Sequence, residues 1–144
     1  MQLASSSIFI GFKRLRIKLY RAQFMMDKSA RIIYGTPLMT ACGDCIKYFT
    51  MAFMQHNERK MEYLDLCIGS YAVLRCDLEF VIEENLIHYP KNKPNADKDG
   101  RLLPQTQEDK VSSQKVELFK LIAQIDSDMS KWRASLAKGK TICE

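Results

Sequence analysis

The chain of 144 residues is 47% hydrophobic and 27% charged, which is typical of a folded globular domain and counts against an intrinsically disordered chain. This length suits one hydrophobic core, so we expect a single domain over residues 1–144. No apolar run approaches the roughly eighteen residues that span a membrane, and the N-terminal stretch lacks the order of a secretory signal. The composition therefore predicts a cytoplasmic protein that is not bound to a membrane.

Positive charge is concentrated at the start of the chain. The formal net charge is +5, and residues 1–35 hold seven Lys or Arg against one Asp. Residues 58–89 hold three Lys or Arg against seven Asp or Glu. A chain with this uneven charge favours acidic or polyanionic partners at its basic end.

The first predicted helix covers about residues 8–26. Apolar residues at three- and four-residue steps predict its buried side, namely Phe12, Leu15, Leu19 and Ala22. Basic residues fill most of the other positions: Lys13, Arg14, Arg16, Lys18 and Arg21. Lys28 and Arg31 follow just beyond the predicted end of this helix.

Two further helices are predicted over residues 36–56 and 58–87. Thr36 is placed to cap the earlier one, with Pro37 at its first position, and Asn57 is placed to cap the later one. The predicted apolar stripe of the second helix is Leu38, Cys42, Cys45, Phe49, Ala52 and Phe53. That of the third is Met61, Leu64, Cys67, Ile68, Tyr71, Leu74, Leu78, Val81 and Ile82. The very short turn between these helices predicts an antiparallel hairpin.

Residues 88–111 are rich in turn-forming and charged residues, which predicts a mobile loop. A fourth helix is expected over residues 112–137, fraying after Lys140, with Leu118, Ile122, Ile125, Met129, Trp132 and Leu136 on its apolar side. Four amphipathic helices joined in this way predict an all-α fold, an antiparallel up-down-up-down four-helix bundle.

Residue types that carry chemistry are present but poorly placed for it. Cys42 and Cys45 have the spacing of half a zinc site, yet they fall on the apolar side of a helix, which favours small buried hydrophobic residues. His56 and His88 fall at helix ends. We expect no catalytic residue, no metal ligand and no cofactor. The alternative is a helical nuclease or metal-dependent enzyme that uses both histidines and the cysteines.

The acidic residues of the third helix form a second charged set. Asp77, Glu79, Glu83 and Glu84 are expected on its solvent side. They are interpreted either as an ordinary solvated surface or as a docking surface for a basic partner or a neighbouring subunit.

The basic residues are the one set that favours a function, which is non-specific binding to the phosphate backbone of RNA or DNA. An ordinary solvated surface is the alternative. No aromatic residues are expected to interleave with them, so sequence-specific readout is not predicted. The predicted nucleic-acid-binding residues are Lys13, Arg14, Arg16, Lys18, Arg21, Lys28, Arg31, Lys131, Arg133, Lys138 and Lys140.

Three stretches resemble a single family of small helical bundles. Lys28-Ser-Ala-Arg-Ile-Ile-Tyr-Gly35 resembles the family's connection between its first two helices, and Leu74-Arg-x-x-Leu78 resembles its third-helix pattern. Leu121-Ile-Ala-x-Ile125, with the Trp132-Arg-Ala-Ser and Ala-Lys-Gly-Lys runs after it, resembles the end of the fourth helix. The family comprises the 23S rRNA intervening-sequence proteins and the accessory variability proteins of diversity-generating retroelements. The likeness covers about residues 28–140.

This resemblance implies a function that spacing alone does not reveal. Accessory variability proteins are homopentameric bundles with a basic surface and no catalytic site. They bind the reverse transcriptase of the retroelement, associate with nucleic acid, and are needed for mutagenic cDNA synthesis. The chain is thus expected to be a homo-oligomer, a pentamer by resemblance, with a reverse transcriptase and RNA or DNA as partners. A stand-alone bundle of the intervening-sequence type, of structural or unknown function, is the alternative.

Overall fold

The structure, a computed structural model, describes Leu3, residues 6–88 and residues 104–142, and in the last range it describes side chains over 113–136 only. These residues are all-helical and contain no strand, which confirms the predicted class. The elements are α1 (Ser7–Gln23), α2 (Lys28–Ala30), a π-helical segment (Arg31–Gly35), α3 (Thr36–Met54), α4 (Asn57–Glu83) and α5 (Pro104–Ile142). None of the helices described is both long enough and apolar enough to cross a bilayer.

The apolar stripes meet in one shared core. Helix α3 packs against α1 and α4, and α5 packs against the same two helices. The predicted buried residues of α1 are all buried, and most of those predicted for α3, α4 and α5 are buried as well. Side chains with no exposed surface include Phe12, Leu15, Cys42, Cys45, Leu64, Cys67, Leu74, Leu78 and Val81. Burial of these groups is the main source of stability for such a fold.

Aromatic rings link the helices at the centre of the core. The ring of Phe12 lies 6.2 Å from that of Phe49 and 5.9 Å from that of Tyr71, both in edge-to-face geometry. Trp132 of α5 lies 4.9 Å from Phe49. The Tyr71 hydroxyl donates a hydrogen bond of 3.1 Å to the Ile122 carbonyl, so the one polar atom of this ring is satisfied.

Helix α3 begins at Thr36 as predicted, but the predicted cap is absent and the residues before it are already helical. Helical structure starts at Lys28 and runs without a break through the π-helical segment into α3. The Thr36 N–H bonds the Arg31 carbonyl, five residues back, and no side chain caps this point. Because Pro37 has no N–H and its ring crowds the preceding turn, the wider π turn before it lets the helix continue.

Asn57 also has a role other than the predicted one. Helix α4 begins at this residue and not at Glu58, and no side chain caps it. The backbone of Asn57 has φ 56°, and Asn85 just after α4 has φ 57°. Asn tolerates this left-handed conformation better than most residues, so both residues reverse the chain at the two ends of α4.

The boundary of the last helix differs most from the prediction. Helix α5 begins at Pro104 rather than residue 112 and extends to Ile142, so residues 104–111 are not loop, and the expected fraying after Lys140 is not seen. Proline suits a first helical turn, and the residues after it are good helix formers. The rest of the predicted loop, residues 89–103, lies outside the described residues.

Candidate nucleic-acid interface

The side of α1 that faces away from the core carries both cations and apolar side chains. Ile17, Tyr20 and Phe24 are 52%, 55% and 54% exposed, although Leu15 and Leu19 on the other side are buried. At 100° per residue, Lys13 falls among these apolar groups, Arg14 and Arg21 fall along one edge, and Arg16 falls along the other. We call this surface the α1 outer face: Lys13, Arg14, Arg16, Ile17, Tyr20, Arg21 and Phe24.

The expectation that no aromatic residues interleave with the basic ones was therefore wrong. Tyr20 and Phe24 lie one helical turn apart with ring centroids 5.2 Å from each other and planes at 83°. The Lys13 ammonium lies 5.5 Å from the centre of the Phe9 ring. The sequence signal was a second apolar repeat at positions 17, 20 and 24, opposite the repeat that forms the core.

The cations of the α1 outer face are available for a partner. Arg14, Arg16, Arg21 and Lys13 are exposed, and none forms an ion pair with another described residue. Lys18 is different, because its ammonium lies 2.6 Å from the Glu117 carboxylate of α5. That hydrogen bond and charge lower the pKa of Glu117. Lys18 thus joins α1 to α5 and is already neutralised.

Arg31 holds the end of α1 rather than facing solvent. Its Nε donates to the Gln23 carbonyl at 3.0 Å and its Nη2 donates to the Met26 carbonyl at 3.3 Å, two acceptors at the end of the first helix. The Gln23 amide in turn donates to the Gly35 carbonyl at 2.9 Å. A Cβ at Gly35 would come within 3.2–3.4 Å of three of these side chains. Residues 28–35 thus hold the end of α1 against the start of α3. Of the two cations in this stretch, Lys28 is the exposed one.

The structure describes the side chains of two of the four basic residues predicted on the last helix. Lys131 is exposed. Arg133 instead contacts Met61 Sδ at 3.4 Å and the Asp65 carboxylate at 3.4 Å, so it joins α5 to α4. The side chains of Lys138 and Lys140 lie outside the described residues.

Arg75 joins α4 to α5. Its guanidinium contacts the carboxylates of Glu79 at 3.0 Å and Asp126 at 2.8 Å, and these bonds raise its pKa further. It lies beside an open groove of about 520 Å³ between the two helices, whose lining includes Ile68, Ala72 and Met129. Of the acidic set, Glu83 and Glu84 are exposed while Asp77 and Glu79 are half-buried.

Three thiols are part of the core, which confirms their interpretation as small buried residues. Cys42 donates to the Phe12 carbonyl at 3.6 Å, and Cys67 donates to the Cys45 carbonyl at 3.4 Å. Desolvation raises the pKa of Cys42 and of Cys67 to about 12, and burial raises that of Cys45 further still. Such thiols are poor nucleophiles. Among the described residues, no three potential metal-ligating groups cluster together.

The two histidines are far apart. His56 precedes α4, and His88 follows its last turn, so the helix of 27 residues separates them by about 40 Å. His88 Nε2 lies 3.2 Å from the Asp27 carboxylate, and its backbone N–H donates to the Met25 carbonyl at 2.7 Å. The imidazoles therefore belong to opposite ends of the fold.

These observations define an all-helical protein whose exposed cations and aromatic rings share one face of its first helix. Comparison with protein-family models, with curated proteins and with solved structures gives no match. The resemblance in the sequence is thus a basis for a proposal about function and not an assignment of family.

Proposed function

We propose that the protein is a non-catalytic accessory protein of a diversity-generating retroelement, which binds nucleic acid and a reverse transcriptase to support mutagenic cDNA synthesis. The α1 outer face is the observation that carries the nucleic-acid part of this proposal. Four exposed cations lie there without an ion-pair partner among the described residues. The retroelement and its reverse transcriptase are supported by the sequence resemblance over residues 28–140.

An up-down-up-down bundle is the arrangement that fits this function, and the pairing of residues between helices supports it. Along α4 and α5, residues early in one helix meet residues late in the other. The pairs are Asp65 with Arg133, Tyr71 with Ile122, and Asn85 with Lys115. Helices α1 and α5 are also antiparallel, since Gly11 packs against Ile125 and Lys18 pairs with Glu117.

The mechanism is electrostatic capture and positioning. Each phosphate that meets a cation releases a condensed counterion, so affinity falls as salt rises. Four contacts on a single strand give a slope of about −3 in a plot of log K against log salt concentration. The bound strand is not read by sequence, because contacts to phosphate carry no base information. If the chain is a homo-oligomer, several α1 outer faces act together and the apparent affinity rises.

The test is capture of the reverse transcriptase and of nucleic acid by the same protein. The purified chain should retain the retroelement's reverse transcriptase in a pull-down and bind a fluorescent single-stranded oligonucleotide at low salt. Charge reversal at Arg14→Glu and Arg21→Glu should weaken oligonucleotide binding strongly. Lys47→Glu with Arg59→Glu makes the same change of charge at exposed cations of α3 and α4, and it should bind like the unchanged protein.

Genomic context separates this proposal from the stand-alone intervening-sequence bundle. The proposal predicts a reverse transcriptase gene and a template and variable repeat pair beside the gene for this chain. Neighbours that lack both, together with no retention of a reverse transcriptase, would favour the stand-alone bundle. Cleavage of RNA or DNA by the purified chain would instead favour the enzymatic alternative.

A further inference from the structure

Three large apolar side chains at the C-terminal end of α1 are left exposed by the residues that the structure describes. Ile17, Tyr20 and Phe24 are each more than half exposed on consecutive turns. Exposed apolar side chains grouped on one helix face favour an interaction site. Its borders carry Arg14, Arg21 and Arg16, so the partner that covers it has both apolar faces and negative charge.

The rings are held in place before any partner binds. The Arg31 guanidinium lies 5.7 Å from the centre of the Phe24 ring, and Arg31 is itself fixed by its two bonds to the end of α1. Tyr20 stands nearly perpendicular to Phe24 at 5.2 Å. A ring fixed in this way loses little conformational entropy when a partner stacks on it.

The order of cations and rings along α1 distinguishes between two negatively charged partners, a membrane surface and a nucleic acid. A helix that lies on a membrane segregates a continuous apolar side from its cations. On α1, Lys13 falls between Tyr20 and Phe24 in the view along the helix axis, so a cation and rings share one strip. A nucleic acid strand alternates phosphates with flat bases and matches such a strip. A duplex does not, because its bases are already stacked and paired.

We propose that the α1 outer face binds single-stranded nucleic acid, with Tyr20 and Phe24 as stacking platforms for its bases and the surrounding cations on its phosphates. This inference rests on the proposed function and adds the strandedness of the ligand and the residues that contact its bases. Stacking tolerates any base, so binding is selective for unpaired strands and indifferent to sequence.

The experiment compares three fluorescent probes of equal length by anisotropy: a single strand, its duplex, and an abasic strand with the same phosphates. The single strand should bind at least about tenfold more tightly than the abasic strand. The double variant Tyr20→Leu/Phe24→Leu keeps apolar side chains but removes the rings. It should weaken single-strand binding by about tenfold or more and leave abasic binding within about twofold.

A control pair of rings lies outside the α1 outer face. Tyr34 and Phe80 are a second aromatic pair, with ring centroids 5.3 Å apart, and Tyr34→Leu/Phe80→Leu should not change binding. The variant Tyr20→Phe keeps its ring and should retain single-strand affinity. Thermal unfolding by circular dichroism shows whether each variant is folded, which matters most for Tyr34 because its side chain is half-buried against the core.

Several results would overturn the inference. Equal binding of the abasic and normal strands, or unchanged binding of Tyr20→Leu/Phe24→Leu, would show that the rings do not stack. If this ring-independent binding were still lost on charge reversal of Arg14 and Arg21, the proposed nucleic-acid binding would survive and only the proposed base stacking would fail. Absence of binding to every probe at low salt would reject both. Ring-dependent binding to phosphatidylserine vesicles without a preference for single strands would assign the face to a lipid surface instead.

Discussion

Raising the pH into the alkaline range should destabilise this protein because of its three buried thiols. Cys42, Cys45 and Cys67 have no exposed surface, and burial raises the pKa of the first and third to about 12 and of Cys45 further. An unfolded chain ionises the same groups near pH 9. Above that pH the folded state holds more protons than the unfolded state, so the free energy of unfolding falls as the pH rises.

The size of the effect follows from the gap between the two pKa values. At pH 10, one unit above the unfolded value, each thiol costs roughly 1 to 2 kcal/mol. The three together remove about 4 kcal/mol, a large part of the stability of a small domain. Tyr71 adds to the loss only near and above pH 10, because its ordinary pKa is 10.0 and burial raises it.

The assay is urea unfolding followed by circular dichroism at about pH 8, 9 and 10. Replacing one buried thiol, as in Cys67→Ala, should reduce the pH-dependent loss by about a third. Cys76→Ala removes an exposed thiol and should leave the pH dependence unchanged. Refutation would be an equally steep pH dependence in both variants, or a free energy of unfolding that stays constant over this range. Either result would reopen a reactive or metal-binding role for the cysteines.

Four further substitutions test particular contacts. Arg31→Ala removes two hydrogen bonds from the end of α1 and should lower the free energy of unfolding by about 1 to 3 kcal/mol in urea titrations. A loss of oligonucleotide affinity without a loss of stability would contradict the structural role of Arg31. A Cβ at Gly11 would lie only 2.9 Å from Ile125, so Gly11→Val should lower the free energy of unfolding by about 2 kcal/mol. Gly69→Ala, at a helical position with open space, should instead stabilise by about 0.5 to 1 kcal/mol, and equal effects at the two glycines would contradict the packing. Lys18→Gln should return the lowered pKa of Glu117 toward its ordinary value in a carboxyl NMR titration, and an unmoved pKa would refute the ion pair.

The core could be predicted from sequence because helical periodicity reports burial directly. The repeat through Phe12, Leu15 and Leu19 and the repeat through Leu64, Cys67 and Tyr71 both mark sides that are buried. The helix boundaries at prolines were harder to predict. Pro37 follows a π turn that joins α3 to the helical residues before it, so the helical structure does not start there. Pro104 was predicted to lie in a loop, but it begins α5. A proline permits a boundary without requiring one, and tertiary packing decides.

The candidate interface was predictable only in part. Sequence places Arg14, Arg31 and Arg133 in one class, since each is a cation in or next to a predicted amphipathic helix. Contacts between helices separate them, because Arg31 bonds the end of α1 and Arg133 reaches Asp65 of α4. Such contacts join residues far apart in the chain, and a single helix period does not encode them. The exposed rings lie on a second apolar stripe of the same helix, and a helix period alone does not tell which of two stripes faces the core.

The salt dependence of oligonucleotide binding measures the central claim most directly. The account predicts that the unchanged protein binds a single strand with a slope of about −3 in log K against log salt concentration, and that Arg14→Glu/Arg21→Glu lowers both affinity and slope. Lys47→Glu/Arg59→Glu should match the unchanged protein in both quantities. Equal affinities and slopes for the two charge-reversed proteins would show that the α1 outer face does not bind nucleic acid.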